Sequence, residues 1–208
     1  QQEVEGTLKI GIIPTLAPYL LPVFIGPYIR KYPAVKVEVE ELVSEEIIRR
    51  LKRDMLDVGL FVTPYHDEKI VERPVFYEEM LVYAHPDGHC FRNQVVNLCE
   101  MSASQHKNLP FEFESNSLET LMRIVDVEGG FTLIPELALQ YMSPEKKKQV
   151  RSIANTKPLR EVSVIYSRHF TKQRLITLLC DEIKSVVPAH MLKRDRGMIV
   201  EWKAEKNE

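Results

Sequence analysis

The sequence predicts an α/β fold of two lobes joined by two crossover segments. Short apolar strands alternate with amphipathic helices through the first half of the chain, an order typical of a parallel sheet with helices on its faces. Turn residues interrupt this alternation near residue 85, and a further apolar strand and amphipathic helix follow towards the C-terminal end. The 208 residues suit one large domain or two small ones.

The first half of the chain reads as a β-α-β-α-β series. Pro18 suits the first turn of a helix, where its missing N–H costs nothing, and Pro33 ends that helix. Ser44 is the predicted N-cap of the second helix, and two glutamates in its first turn favour the helix dipole. The predicted strands cover residues 7–13, 35–40 and 56–62, and the predicted helices cover residues 18–32 and 45–51.

The second half begins with a strand at residues 80–84 and a turn at residues 85–88. A helix is predicted over residues 90–100. Asn116 and Glu119 form a capping box for another helix that reaches residue 128, and Gly129 and Gly130 supply its C-terminal left-handed residue. Strands at residues 131–134 and 161–167 and a helix at residues 172–187 complete the pattern.

These elements predict two Rossmann-like lobes. The first lobe comprises residues 1–84 and 161–208, and the second lobe comprises residues 85–160. Ligands of such sheets bind beyond the carboxyl ends of the strands. The candidate site loops are therefore residues 14–17, 42–44, 87–94, 114–117 and 156–160.

The composition excludes several classes of protein. Lysine and arginine number 28 against 30 aspartates and glutamates, which argues against a protein that binds nucleic acid over its whole surface. No apolar run approaches the roughly 18 residues that span a bilayer, so no membrane partner is expected. Three cysteines are too few for a disulfide scaffold and indicate a reducing, cytoplasmic location. The N-terminal segment does not read as a signal peptide, and it begins as a domain cut from a longer chain would.

Known motifs for metals and nucleotides are absent from the sequence. There is no CxxC pair, and the six histidines lack the spacing of zinc ligands, so no metal is expected. No GxSxG, Walker A or GxGxxG motif occurs, and no cofactor is expected. The basic run at residues 146–148 is predicted to be a solvated surface patch.

The informative segment is DGHCFRNQVVNLC, at residues 87–99. Cys90 stands at a predicted helix N-terminus, with His89 before it and Arg92 after it. A helix N-terminus and neighbouring cations lower the pKa of a thiol, and the resulting thiolate attacks peroxide to give a sulfenic acid. Cys99 is the candidate second thiol, which would condense with that sulfenic acid into a disulfide.

The spacing of the two cysteines predicts a conformational switch. On one helix, nine positions correspond to about 13.5 Å of rise and to opposite faces. A disulfide tolerates about 4.4–6.8 Å between Cα atoms, so the helix would have to unwind. The alternative is that both cysteines are inert, as most intracellular cysteines are. For Cys180, in the apolar stretch LITLLC, a buried and unreactive thiol is the favoured prediction.

Several segments, taken in order, resemble the regulatory domain of OxyR-type members of the LysR family, which are peroxide-sensing bacterial transcription factors. The resemblance covers residues 6–187. The opening segment is GTLKIGIIPTLAPYLLP; its GxLxIG pattern and the segment GGFTLIP are common to many LysR-type effector domains. The segment GHCFRNQ, followed by a second cysteine, is specific to the OxyR branch. The further matching segments are the LDVGL strand, SNSLETL and PLREVSVIY.

The resemblance implies a fold like that of periplasmic binding proteins and a role for each site residue. Cys90 matches the peroxide-reactive cysteine and Cys99 matches the resolving one. The residues matched to peroxide binding or thiolate activation are Thr15, Ser44, His89, Arg92, Gln94 and Arg160. Ser44 stands where the family commonly has threonine, and Asn93 stands where it often has aspartate.

The resemblance also implies partners. These are hydrogen peroxide, a second copy of the chain in a homodimer or homotetramer, and a thiol reductant such as glutaredoxin or thioredoxin. Promoter DNA would be bound only through an N-terminal domain that this chain does not contain. The family also has a loop and a strand between the HP turn and the DGHC segment, whereas here Pro86 runs straight into Asp87. Residues missing from the sequence at this point are the favoured explanation.

Three other functions compete with the peroxide sensor. The cleft between the lobes could bind a small organic ligand without thiol chemistry, as most LysR-type domains do. A thiol peroxidase would need turnover with an electron donor, and the resemblance argues against an enzyme. A periplasmic solute-binding protein would share the architecture, but the free cysteines and the absence of a signal peptide disfavour it.

Overall fold

The computed structural model describes residues 4–86, 117–153 and 155–201. In chain order, the helices are α1 (Ala17–Lys31), α2 (Ser44–Leu51), α3 (Leu118–Glu128), α4 (Pro144–Lys147) and α5 (Gln173–Val186). The strands are β1 (Gly6–Ile12), β2 (Val35–Glu41), β3 (Val58–Thr63), β4 (Ile70–Ala84), β5 (Phe131–Pro135), β6 (Val150–Arg151), β7 (Pro158–Ser167) and β8 (Met198–Ile199).

The chain divides into two compact units. The first unit comprises Gln1–Glu78 and Leu159–Glu208, and the second comprises Glu79–Pro158. The chain therefore leaves the first unit within β4 and re-enters it at the start of β7. The sequence pattern places these crossings near residues 84 and 161, because the break in alternation after Ala84 is visible in the sequence whereas the continuity of β4 is not.

The sheet of the first unit is built around β1, which pairs in parallel with β2 from Gly6–Val35 to Ile12–Glu41 and with β3 at Ile10–Val58. On the other side of β3, β7 runs antiparallel and pairs Gly59 with Ile165. Nearly every residue of β7 is buried, as in a strand covered on both faces.

Helices α1, α2 and α5 supply the apolar side chains that cover this sheet. Pro18 lies in the first turn of α1, as predicted, and Leu20 and Phe24 of that helix are fully buried. Removing apolar surface from water at about 25 cal/mol per Å² makes such helix-on-sheet contacts the main source of stability. The core of the first unit also contains Leu8, Ile10, Ile47, Leu51, Leu60, Ile176 and Leu179.

The second unit has its own sheet and core. The end of β4 pairs antiparallel with β5, from Met80–Pro135 to Ala84–Phe131, and with β6. Helix α3 packs Met122 and Val125 onto this sheet. Residues Glu136–Tyr141 form a short 3-10 helix. The buried cluster of the unit consists of Leu81, Tyr83, Met122, Val125 and Ile134.

Two predicted helix caps are wrong. The N-cap of α2 is Val43, in extended conformation and without a side-chain hydrogen bond, and Ser44 is the first helical residue. The helix starts one residue early, and Ile47 and Leu51 still face the core. The N-cap of α3 is Ser117, whose Oγ accepts from the Thr120 N–H at 3.3 Å, so Glu119 stands at the second helical position and not at the third, where a capping box needs it.

Two further differences concern the ends of elements. Gly129 has the positive φ that was predicted, but its ψ of −168° lies outside the left-handed helical region. The strand predicted at residues 80–84 is the end of the longer β4. Asn116 and the helix predicted over residues 90–100 lie outside the described residues.

Within the described ranges, no helix is long and apolar enough to cross a membrane.

Candidate functional site

Three of the eight predicted site residues fall within the described part of the chain. Thr15 lies in the turn between β1 and α1, Ser44 begins α2, and Arg160 is in β7. The other five, which include both cysteines, lie outside the described residues: His89, Cys90, Arg92, Gln94 and Cys99. The three described site residues all belong to the first unit.

Arg160 binds Thr15 through the end of its guanidinium group. The Nη1 of Arg160 donates to Thr15 Oγ1 at 2.9 Å, and its Nη2 donates to the Thr15 backbone oxygen at 3.1 Å. Strand β7 holds Arg160 at a position where its side chain is almost fully buried. The turn after β1 presents Thr15 because Leu16 N and Ala17 N both bind the Ile13 carbonyl and close the first turn before α1. The fold thus brings two predicted site residues into direct contact.

Glu78 completes this arrangement, and the sequence reasoning missed it. Its Oε1 accepts from Arg160 Nε at 2.5 Å, and its side chain is fully buried. A signal was present in the sequence, because Glu78 alternates with Phe76 and Met80 on the inward face of β4. A carboxylate at a buried position of a strand requires a partner, and a buried ion pair is the usual solution.

The guanidinium group of Arg160 is therefore held on two of its edges. Its Nε donates a hydrogen bond to the Glu78 carboxylate, and its terminal Nη1 and Nη2 donate to Thr15. Three of its N–H groups therefore bind described residues. Such a group is oriented rigidly, because each hydrogen bond fixes a different direction. Its positive charge is also compensated within hydrogen-bond distance by Glu78.

Besides the contacts of Arg160, a group of buried polar side chains joins β3 to β7. Thr63 Oγ1 donates to Glu161 Oε1 at 2.7 Å and lies 2.6 Å from Ser163 Oγ. Since the hydroxyl proton of Thr63 is donated to Glu161, Ser163 is the donor in its hydrogen bond with Thr63.

Glu161 also influences a neighbouring tyrosine: burial of the Tyr77 hydroxyl, together with the negative charge of Glu161, raises the pKa of Tyr77. Glu161 and Arg160 are adjacent in β7, so their side chains leave the strand on opposite faces.

The remaining predicted residues are separate from this contact. Ser44 is partly exposed, and within the described ranges no hydrogen bond joins it to Thr15 or Arg160. Cys180 in α5 is free and buried, as predicted, and burial raises the pKa of its thiol. Within those same ranges, no group of three histidine, cysteine or acidic residues could hold a metal ion.

The second unit contains an interacting cluster of Tyr83, Asp126 and Lys146. The Tyr83 hydroxyl donates to Asp126 Oδ1, and Lys146 Nζ donates to Asp126 Oδ2 at 2.7 Å. Lys146 also lies 5.8 Å from the centroid of the Tyr83 ring. The basic run at residues 146–148 lies at the surface: Lys147 and Lys148 are exposed, and the Lys146 side chain is 42% exposed and also forms the ion pair with Asp126.

Comparison with known proteins gives consistent matches over most of the chain. The LysR substrate binding domain family matches residues 1–188. The hydrogen peroxide-inducible genes activator of Haemophilus influenzae is 28% identical over 217 residues, which cover 89% of this chain and 70% of that protein. The DNA-binding transcriptional dual regulator OxyR of Escherichia coli K12 is 27% identical, over 92% of this chain and 70% of that protein.

A solved structure has the same fold. OxyR from Porphyromonas gingivalis superposes with a TM-score of 0.83 at 24% sequence identity, over 92% of this chain and 97% of that one. The predicted fold class is confirmed by this likeness. The alignment with the Haemophilus protein spans 217 positions, more than the 208 residues of this chain, so that relative has residues which this chain lacks.

Proposed function

Because the chain belongs to the LysR substrate-binding domain family, we propose that it is the regulatory domain of a hydrogen-peroxide-sensing transcription activator of the OxyR type. The observation that carries the proposal is the contact between Thr15 and Arg160. The resemblance matches Thr15 to a hydroxyl that helps to hold peroxide and Arg160 to a cation near the reactive sulfur. The two residues are joined by two hydrogen bonds although they lie 145 positions apart in the chain. The names of the relatives from Haemophilus and Escherichia support the same function.

The proposed chemistry is a two-step oxidation. The Cys90 thiolate attacks one oxygen of hydrogen peroxide, the O–O bond breaks, and Cys90 becomes a sulfenic acid while hydroxide leaves. The Cys99 thiol then attacks the Cys90 sulfur, a disulfide forms, and water leaves. One peroxide molecule thus accepts two electrons from two thiols, and two molecules of water result. A dithiol reductant such as glutaredoxin or thioredoxin reverses the change.

Thr15 and Arg160 serve as the donors and acceptors for peroxide in this proposal. Hydrogen peroxide is neutral and carries two hydroxyl groups, so it needs oriented hydrogen-bond partners more than it needs a counter-ion. Thr15 can both donate and accept through its hydroxyl, and Arg160 can only donate. His89, Arg92 and Gln94 take the roles that the resemblance gives them, as neighbours that stabilise the Cys90 thiolate. Ser44 supplies a further hydroxyl group.

The output of the domain is a change of conformation, because Cys90 and Cys99 cannot bond while both stay on one helix. We propose that this change alters the packing of a homodimer or homotetramer. DNA-binding domains outside this chain would then be repositioned on promoter DNA in the cytoplasm. The domain acts as a switch that uses one peroxide for each disulfide, and not as an enzyme with turnover.

The test is peptide mapping of the reduced protein after a short exposure to stoichiometric hydrogen peroxide. We expect a mass loss of two hydrogens and a Cys90–Cys99 link that dithiothreitol reverses. Cys90→Ser should abolish the link, and Cys99→Ser should accumulate a sulfenic acid on Cys90. Cys180→Ser is the matched control and should react like the unsubstituted protein. Thiols that stay reduced for minutes would overturn the proposal and leave an organic ligand, bound without thiol chemistry, as the alternative.

A further inference from the structure

Glu78 and Arg160 form a buried ion pair. Glu78 is fully buried and Arg160 is 4% exposed. Charges at such positions are costly unless they are paired and hydrogen-bonded, and this pair meets both conditions at 2.5 Å. Both residues belong to the first unit. The pair is therefore a fixed part of that unit and does not require a ligand to balance it.

An unpaired arginine would favour anions at this place. A guanidinium group binds a carboxylate through two parallel N–H groups, either at its terminal fork or at its Nε edge. In this protein the terminal fork is on Thr15 and the Nε edge is on Glu78. An incoming carboxylate would find neither edge open and would be repelled by the Glu78 carboxylate.

We propose that Glu78 determines the charge specificity of the site, so that the site takes a small neutral hydroxylic ligand and rejects organic and inorganic anions. Glu78 does this in two ways: it compensates the charge of Arg160, and it occupies the Nε edge. The identity of the neutral ligand as hydrogen peroxide rests on the proposed function. The rejection of anions is a property of the Glu78–Arg160 pair itself and can be measured without any thiol chemistry.

The first experiment is calorimetric titration of the reduced protein with sodium benzoate and with sodium sulfate at constant ionic strength. The unsubstituted protein should show no saturable binding in the millimolar range. Glu78→Gln keeps an acceptor oxygen for Arg160 Nε but removes the negative charge, and it should bind benzoate at least about tenfold more tightly. The double variant Glu78→Gln with Arg160→Gln should lose this binding, because the uncompensated cation is then gone.

Glu161→Gln is the matched control for the loss of a buried carboxylate. Glu161 is 8% exposed, is adjacent to Arg160 in β7, and accepts its hydrogen bond from Thr63. Its replacement should leave anion binding unchanged. If Glu161→Gln increases the affinity for benzoate as much as Glu78→Gln does, loss of any nearby negative charge explains the increase, and the proposal is wrong. It is also wrong if Glu78→Gln folds normally and binds no benzoate.

Glu78→Gln leaves a buried arginine without a counter-ion, so it could fail to fold. The unsubstituted protein then decides the question. If it binds benzoate or sulfate saturably and Arg160→Gln abolishes that binding, the pair does not reject anions and the proposal is overturned. If it binds neither, and peroxide still links Cys90 to Cys99 at an unchanged rate in millimolar benzoate, the proposal is supported. Thiols that do not react at all would instead contradict the proposed function, and the anion titration would be unaffected.

Discussion

Gly59 of β3 lies directly against Ile47 of α2: a Cβ atom placed on Gly59 would be 2.6 Å from Ile47 Cγ2. On its other side it would be 2.9 Å from Ile165 Cγ1 of β7. Both neighbours are fully buried. The close approach of α2 to the sheet, which places Ile47 and Leu51 in the core, therefore depends on the absence of a side chain at Gly59.

Gly59→Ala should destabilise the first unit by about 1–3 kcal/mol, because the added methyl group overpacks a filled core. Urea denaturation followed by circular dichroism measures this change. Gly26→Ala in α1 is the matched control, since the added Cβ would meet only the flexible end of Arg30, at 3.2 Å. It should stabilise the protein by roughly 0.5–1 kcal/mol, as alanine does in a helix. Equal effects of the two substitutions would contradict the assigned contact.

Cys180 should be inert in the folded protein. Its side chain is 1% exposed, and burial raises the pKa of its thiol, so little reactive thiolate is present at neutral pH. Iodoacetamide at pH 7.5 should modify Cys180 only after the protein is unfolded in urea, as peptide mapping would detect. Modification of Cys180 in the native protein within minutes, or a peroxide-induced link to it, would contradict the assignment of Cys180 as a buried core residue.

The sequence predicted single helices and strands better than it predicted contacts between residues far apart in the chain. Pro18 and Pro33 predicted the two ends of α1, because the effect of a proline on a helix is local. The segment at residues 161–167 predicted a strand in the same way, and it lies within β7. The predicted cap at Ser44 was off by one residue, because neighbouring residues compete for that position and packing of Ile47 decides it.

Glu78 could not be placed in the site for a different reason. The strand predicted at residues 80–84 does not reach Glu78, and its partner Arg160 is 82 positions away. Which residue of β7 faces Glu78 depends on the register between two strands that are not consecutive in the chain, and composition does not determine that register. The contact of Arg160 with Thr15 was anticipated only through the family resemblance, which places both residues at one site.

The ionised carboxylate of Asp126 should stabilise the second unit. Burial opposes ionisation, but the hydrogen bonds from Lys146 and Tyr83 outweigh it, and the pKa of Asp126 is lowered from its ordinary value of 3.8. The stabilisation is therefore present at pH values above the ordinary value of 3.8 and is lost as the pH falls from there through the lower, folded-state pKa. Because the side chains of Asp126 and Lys146 are 27% and 42% exposed, it amounts to less than about 1 kcal/mol.

Asp126→Asn should accordingly lower the free energy of unfolding at pH 7, and the difference from the unsubstituted protein should shrink as the pH falls below 3.8. Urea titrations at a series of pH values measure both quantities. Glu128→Gln removes a carboxylate from the exposed end of the same helix, where no ion pair with the described residues is formed, and it should have no such effect. A difference for Asp126→Asn that persists unchanged at pH 2 would show that packing, and not charge, is responsible.

Thr15→Val should slow the peroxide-induced formation of the Cys90–Cys99 link by about tenfold, which corresponds to roughly 1.4 kcal/mol. Valine has nearly the shape of threonine, but it removes the oxygen that accepts from Arg160 Nη1 and leaves only the bond to the backbone oxygen. Stopped-flow mixing with hydrogen peroxide, followed by acid quenching and mass analysis, gives the rate. Thr15→Ser keeps the hydroxyl group and should react at nearly the original rate. If valine and serine variants react equally fast, the Thr15 hydroxyl has no part in peroxide binding, and the contact with Arg160 serves only to hold the turn before α1 against β7.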